Sequence, residues 1–167
     1  MNIGTYLKDL NMDISLEFKA INKSPECVVY VNNQPKYQGP VTDLINIECS
    51  DHGAVELAIA FTNKSPKDTV VDNSGNIIED KSFELECIVV DKYDLEELKW
   101  ESEYQADDGV IYDKCLFFGP PGKFVIAIEN PILPWILRTK HKRNGDDPNW
   151  QEDYNYYDKA CKLLKQI

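Results

Sequence analysis

The sequence predicts a mainly β protein, an antiparallel β-sandwich of the jelly-roll kind that ends in an amphipathic helix. Three observations predict it. Short stretches alternate apolar and polar residues along most of the chain, as strands with one dry and one wet face do. Nine Pro and eight Gly are spread through the 167 residues and break those stretches with turns. No strand–helix–strand repeat stands out, which points to antiparallel pairing. The expected organisation is a sandwich domain over 1–139, a hydrophilic linker over 140–149 and a C-terminal helix over 150–167.

The first strand is "ISLEFKAI", with Ile14, Leu16, Phe18 and Ala20 on one face. "ECVVYVNNQPKYQGPV" reads as a hairpin whose first strand ends at Val31 and whose turn is built on "NNQP". Pro35 has no amide to donate, so the second strand, which carries Tyr37, belongs at a sheet edge. Ile45, Ile47 and Cys49 fall in phase, as do Val55, Leu57, Ile59 and Phe61, and then Phe83, Leu85, Cys87 and Val89. "DNSGN" between the last two sets reads as a hairpin turn that needs Gly75 for positive φ. "YDLEELKW" predicts a helical turn or two, and "ADDG" and "GPPG" predict turns. "KFVIAIEN" is a further strand with Phe124, Ile126 and Ile128 together. "PILPWILRTK" predicts a short helical segment. In the final stretch Trp150, Tyr154, Tyr157, Cys161 and Leu164 form one apolar helical stripe, with Asp147 and Pro148 or Asn149 and Glu152 to start it.

Charge and composition exclude several function classes. The net charge is −11, which disfavours nucleic acid because phosphate binding needs a basic surface. No apolar run reaches the ~20 residues of a membrane span. "MNIGTYLKDLNMD" has neither the basic start nor the apolar segment of a signal peptide. The five cysteines are widely spaced with no CxxC pair, and they read as reduced core thiols of a protein made in a cytoplasm. Residues 131–143 carry four positive charges and no acid, leaving the rest of the chain at −15. Arg138, Lys140, Lys142 and Arg143 are therefore either a solvated linker or a dock for an acidic partner, another copy included. The terminal stripe of Trp150, Tyr154, Tyr157 and Leu164 either packs on its own sandwich or seats in a neighbour's groove.

Catalytic motifs are absent: only His52 and His141 occur, with no phosphate loop, HExxH or GxSxG. Cys49 and His52 are close in sequence, but Cys49 is in phase with a dry face and a thiolate needs an electropositive, accessible place. Zinc lacks further ligands at recognisable spacing. Asp68, Asp72, Asn73, Asn76, Glu79 and Asp80 supply hard oxygens of the kind calcium takes, in an order that is not that of an EF-hand, and generic turn composition accounts for them better than a metal site does. No cofactor is expected, with calcium the one candidate. Tyr30, Tyr37, Trp100, Tyr104 and Tyr112 lie on or beside strands and would form a sugar-stacking platform if their rings face outward.

Two resemblances add to this. Lys64, Ser65, Asp68, Thr69, Asp72, Gly75, Asn76, Ile77, Ile78 and Asp80, followed by Pro131, Ile132, Leu133, Trp135 and Leu137, resemble blocks found in small β-sandwich proteins of marine contractile-tailed phages. That resemblance spans roughly 28–138 and implies a virion or virion-assembly protein. "FTNK" at 61–64 is similar to the strand end "F.ND" of calcium-dependent carbohydrate-binding modules, with Lys64 in place of the acid. The sequence thus predicts a non-enzymatic virion protein, tail- or baseplate-associated. It would dock to other virion proteins or to its own copies through Arg138, Lys140, Arg143 and the terminal helix. The alternative is a carbohydrate-binding module that recognises a glycan on a host surface.

Overall fold

The structure is a computed structural model and describes residues 11–144. Two antiparallel sheets face each other across one apolar core. One sheet contains β1 (Met12–Asn22), β4 (Leu44–Cys49), β8 (Ser82–Val90), β9 (Tyr93–Asp94) and β12 (Phe117–Phe118), in the order β12-β8-β1-β4 with β9 also on β8. The other contains β2 (Glu26–Val31), β3 (Gln34–Pro40), β5 (Gly53–Phe61), β10 (Glu103–Ala106), β11 (Ile111–Asp113) and β13 (Gly122–Asn130), in the order β11-β10-β13-β5-β2-β3. A separate ribbon pairs β6 (Val70–Val71) with β7 (Ile77–Glu79). The expected antiparallel sandwich is what the chain forms.

Alternation dictates most of this. Ile14, Leu16 and Phe18 face the core from β1, Ile45, Ile47 and Cys49 from β4, Val55, Leu57, Ile59 and Phe61 from β5, and Phe124, Ile126 and Ile128 from β13. The β2–β3 hairpin turns on Asn32 and Asn33, both at positive φ, and β3 with Pro35 forms a sheet edge.

Two phases differ from expectation. On β1 the dry face ends at Phe18; Ala20 sits at φ 49° and is exposed. On β8, Leu85 pairs with Phe18 and Cys87 with Glu17, so Glu86 is an extra residue in the ladder. This bulge reverses the pleat: Ile88 and Val90 take the core positions, while Cys87 and Val89 turn toward the outer face. Of the two cysteines expected on dry faces, only Cys49 lies on one.

The core is tied together by aromatic rings. Phe83 stacks on Phe118 at 4.3 Å and meets Phe18 and Phe61 edge-on at 5.6 and 5.1 Å. Tyr104 stands edge-on to Phe118 at 5.2 Å and donates its hydroxyl to the Pro120 carbonyl at 2.6 Å. Gly122 lets β10 and β13 close: a Cβ there would lie 2.5 Å from the Gln105 carbonyl oxygen. Past β13, α1 (Ile132–Asn144) packs on β13 and on the helical turn Glu96–Trp100 through Ile132, Trp135 and Ile136. Residues 140–144, expected to begin a linker, are the end of this helix. The helix runs through them because Lys140 and Arg143 find partners beside it in Glu96, Glu101 and the Glu97 carbonyl.

Phe83→Ala should cost about 3–5 kcal/mol, since it empties the centre of the ring cluster. Gly122→Ala should cost about 1–3 kcal/mol, since backbone must move to admit the methyl group. Urea unfolding monitored by tryptophan fluorescence measures both, and a loss below about 1 kcal/mol for Phe83→Ala would contradict the role given to that ring.

Candidate functional site

The site is built where two connections cross between the sheets at the same end of the sandwich. One is the excursion over 62–81, which leaves β5 and enters β8. The other is the turn over 119–121, which joins β12 to β13. Between them lies a cleft of about 350 Å³.

The excursion begins with a single helical turn, Pro66–Asp68. Asp68 accepts the Ser65 amide at 2.7 Å, and Pro66 occupies the first helical position, where a missing amide costs nothing. The β6–β7 ribbon follows. Its tip is closed by Asp72, which accepts the Ser74 amide at 2.8 Å, the Asn76 amide at 2.9 Å and the Asn76 Nδ2 at 3.1 Å. Gly75 sits at φ 85°. The "DNSGN" stretch is therefore a turn whose oxygens are engaged locally. The Asn76 bonds, foremost the one from its backbone amide, hold the Asp72 carboxyl below the usual carboxylate range. The Ser65 amide does the same for Asp68, and the Lys23 ammonium, 2.7 Å away, does so for Glu79.

Two lysines close the base of the excursion. The Lys64 ammonium contacts Asp80 Oδ1 and donates to the Lys81 carbonyl at 2.7 Å, with the Phe61 ring centroid 5.9 Å away. The Lys81 ammonium donates to the Asn63 carbonyl at 3.1 Å and faces Asp68 Oδ1 at 3.3 Å. Each lysine thus binds backbone next to or at the other. Thr69 donates its hydroxyl to Asp80 Oδ1 at 2.7 Å. The Lys64 side chain is only 6% exposed and that of Asp80 17%.

This geometry answers the calcium question. Calcium takes six to eight oxygens from loops. Here Asp80 Oδ1 already serves Lys64 and Thr69, Asp68 serves Ser65 and Lys81, and Asp72 serves its turn. Among the described residues no group of three or more His, Cys, Asp or Glu side chains could hold a metal ion. The donor set does not fit calcium, because an ammonium stands among the oxygens that would coordinate it.

The cleft walls are apolar. Pro66 and Ile77 line one side, Phe117 and Pro120 the other, with Lys64, Thr69 and Asp80 between them. Phe117 is half exposed, while its neighbour Phe118 is fully buried. A Cβ on Gly119 would lie 2.5 Å from the Phe117 ring, so the absent side chain is what lets that ring settle over the turn. The ribbon beyond leaves Val71, Ile77 and Ile78 largely in solvent.

The residues singled out from sequence are distributed differently. Arg138 binds Glu129 at 2.5 Å, Lys140 faces Glu96 at 3.4 Å, and Arg143 pairs with Glu101 at 3.3 Å and donates to the Glu97 carbonyl at 2.7 Å. These three side chains therefore bind the helix to its own domain. Trp150, Tyr154, Tyr157 and Leu164 lie outside the described residues. The aromatic platform does not assemble: Tyr104 is wholly buried, Tyr37 packs partly on the core, and Trp100 and Tyr112 are exposed. Cys49 is buried with its sulfur accepting the Asp51 amide at 3.4 Å, and His52 is exposed. Burial pushes the Cys27 thiol up to about 12 and, with Asp94 adding to it, the Cys87 thiol up to about 11. Phe117 was missed. The signal was available, since in adjacent "FF" on a strand one ring must face away from the core.

No family model matches the chain, and no curated protein does. Two solved structures are similar to it, both of vCBM60, of the calcium-dependent carbohydrate-binding modules. One, in complex with galactobiose, has a TM-score of 0.46 and 14% identity, over 68% of this chain and 95% of that one. The other has a TM-score of 0.47 and 13% identity, over 68% and 88%. At so low an identity the likeness assigns no role to any residue here.

A carboxyl held below its usual range stabilises the fold at neutral pH, and that contribution is lost as pH falls through the folded-state value. The ribbon tip should therefore loosen only under acid. The Ser74 and Asn76 amide shifts, followed by NMR, should titrate below the ordinary aspartate range; a midpoint at or above that range would contradict the bonding to Asp72.

Proposed function

We propose that this protein is a non-catalytic carbohydrate-binding module that takes neutral glycans in the cleft between the 62–81 excursion and the 119–121 turn. The observation that carries the reading is the Phe117 ring, half exposed over a glycine-backed turn and beside a carboxylate. A pyranose presents an apolar face that stacks on such a ring and hydroxyls that need acceptors and donors. Asp80 Oδ1 takes the bonds from Lys64 and Thr69, which leaves Oδ2 without a protein donor among the described residues. Ser65 and Thr69 bring hydroxyls to the same cleft. The net charge of −11 opposes anionic ligands and leaves neutral sugars favoured.

The vCBM60 likeness does not carry this reading. Virion association is a proposal that rests on the sequence resemblance alone, and mass spectrometry of purified particles decides it. The anchoring expected of Arg138, Lys140 and Arg143 has to compete with the carboxylates they already hold.

The full chain should bind one or more neutral glycans on an array. Phe117→Ala should weaken the best hit by roughly fivefold or more, because aromatic contacts of this kind contribute on the order of 1 kcal/mol beyond area burial. Gly119→Ala should weaken it too by displacing the ring. Calorimetry with the hit as titrant measures both, and an array without signal, or full affinity in Phe117→Ala, rejects the cleft as the site.

A further inference from the structure

We propose that Lys64 and Lys81 do for this site what a bound cation would do: their two ammonium groups hold the 62–81 excursion, and with it one wall of the cleft, in place without metal. The inference rests on the cleft reading for its functional meaning, but its main readout needs no ligand.

Phe61 ends β5 in one sheet and Ser82 begins β8 in the other, so no ladder hydrogen bond joins the two ends. From 62 to 81 no residue is buried, and the ribbon's Val70, Val71, Ile77 and Ile78 all stay exposed. The excursion therefore gains little from the hydrophobic effect, and a two-stranded ribbon is marginal by itself. Polar bonds remain. Thr62 and Asn63 bond to Glu26 and Ser24 and so fix only the first two residues of the excursion, and Lys23 meets Glu79 in an exposed pair on the ribbon. The bonds that join the two ends of the excursion to each other come from the lysines. Lys64 reaches forward to the Lys81 carbonyl and Lys81 reaches back to the Asn63 carbonyl, at 2.7 and 3.1 Å. Asp80 and Asp68 balance the two charges. An ammonium as enclosed as that of Lys64 is costly to desolvate unless it is paired and fully bonded, so removing its charge strands a carboxylate in the same enclosure. A loop closed this way has its cations built into the chain.

Hydrogen exchange on the full chain tests it. In the wild type, amides over 65–81 should be equally protected in EDTA and in millimolar calcium, and the melting temperature should agree within about 1 °C, whereas a bound ion at large excess would raise it by several degrees. Lys64→Met should raise exchange over 65–81 by roughly tenfold or more while β1, β5 and β13 keep their protection. If Lys64→Met loses protection everywhere, Lys81→Met, which removes the less enclosed ammonium, gives the same local readout. In Lys64→Ala, propylammonium should restore protection and propanol should not; no difference between them overturns the assignment to charge. Unchanged protection in both methionine variants overturns the proposal, as does wild-type protection that falls in EDTA and returns with calcium. Glycan binding is scored separately. Intact protection behaviour without any glycan hit rejects the cleft reading alone, and glycan binding with unchanged protection in the variants rejects the clasp alone.

Discussion

The contact of Phe83 with Phe118, Phe18 and Phe61 is the constraint on which the rest of the molecule depends. Phe18, Phe83 and Phe118 come from one sheet and Phe61 from the other, so their packing fixes the spacing of the sheets at one end. Aromatic rings suit this role because edge-on and offset contacts have defined geometry as well as large buried area. Ser82 and Phe83 follow directly on Lys81, and Phe61 directly precedes the excursion. Whatever holds the excursion is therefore referred to this cluster. The cleft inherits its position from the same rings, since Phe118 is core while Phe117 beside it is wall.

Charge is used in two distinct ways. On the sandwich faces and along α1, lysines and arginines meet carboxylates in partly exposed pairs such as Lys19 with Glu84 and Glu86, or Arg138 with Glu129. Pairs of this kind contribute little each, and they orient rather than hold. At the base of the excursion the ammonium groups are enclosed and bonded to backbone carbonyls as well as to carboxylates. That arrangement is costly to break one partner at a time, which gives the loop a single geometry. Of the oxygens that suggested a metal from composition, those of Asp68 and Asp80 are the ones that satisfy these lysines.

Much of the sandwich was legible in residue order. Strand phase on β1, β4, β5 and β13, the Asn32–Asn33 turn, the edge position of Pro35 and the turn at Gly75 all follow from local rules that the tertiary structure obeys. The β8 phase was not legible past Leu85, because a bulge at Glu86 depends on how β8 meets β1 and not on β8 alone. The candidate site was less legible still. Alternation left Tyr104 unplaced between surface and core, and it is core because its ring meets Phe118 of the opposite sheet. Lys64 looked like a departure from a ligand pattern, and its partners Asp80 and Lys81 stand sixteen and seventeen residues further on.

By itself, then, the sequence determined the period-two burial and the turn chemistry, since each depends on neighbours within a few positions. Only the tertiary structure decided which rings are wall and which are core, and which cation each carboxylate serves. The physical reason is that side-chain burial and ion pairing are set by elements brought together from distant parts of the chain. Phe117 reads out only when the 119–121 turn and the 62–81 excursion share one end of the sandwich. Lys64 and Lys81 become partners only when the two sheets face each other and bring the ends of β5 and β8 within reach of one lysine side chain.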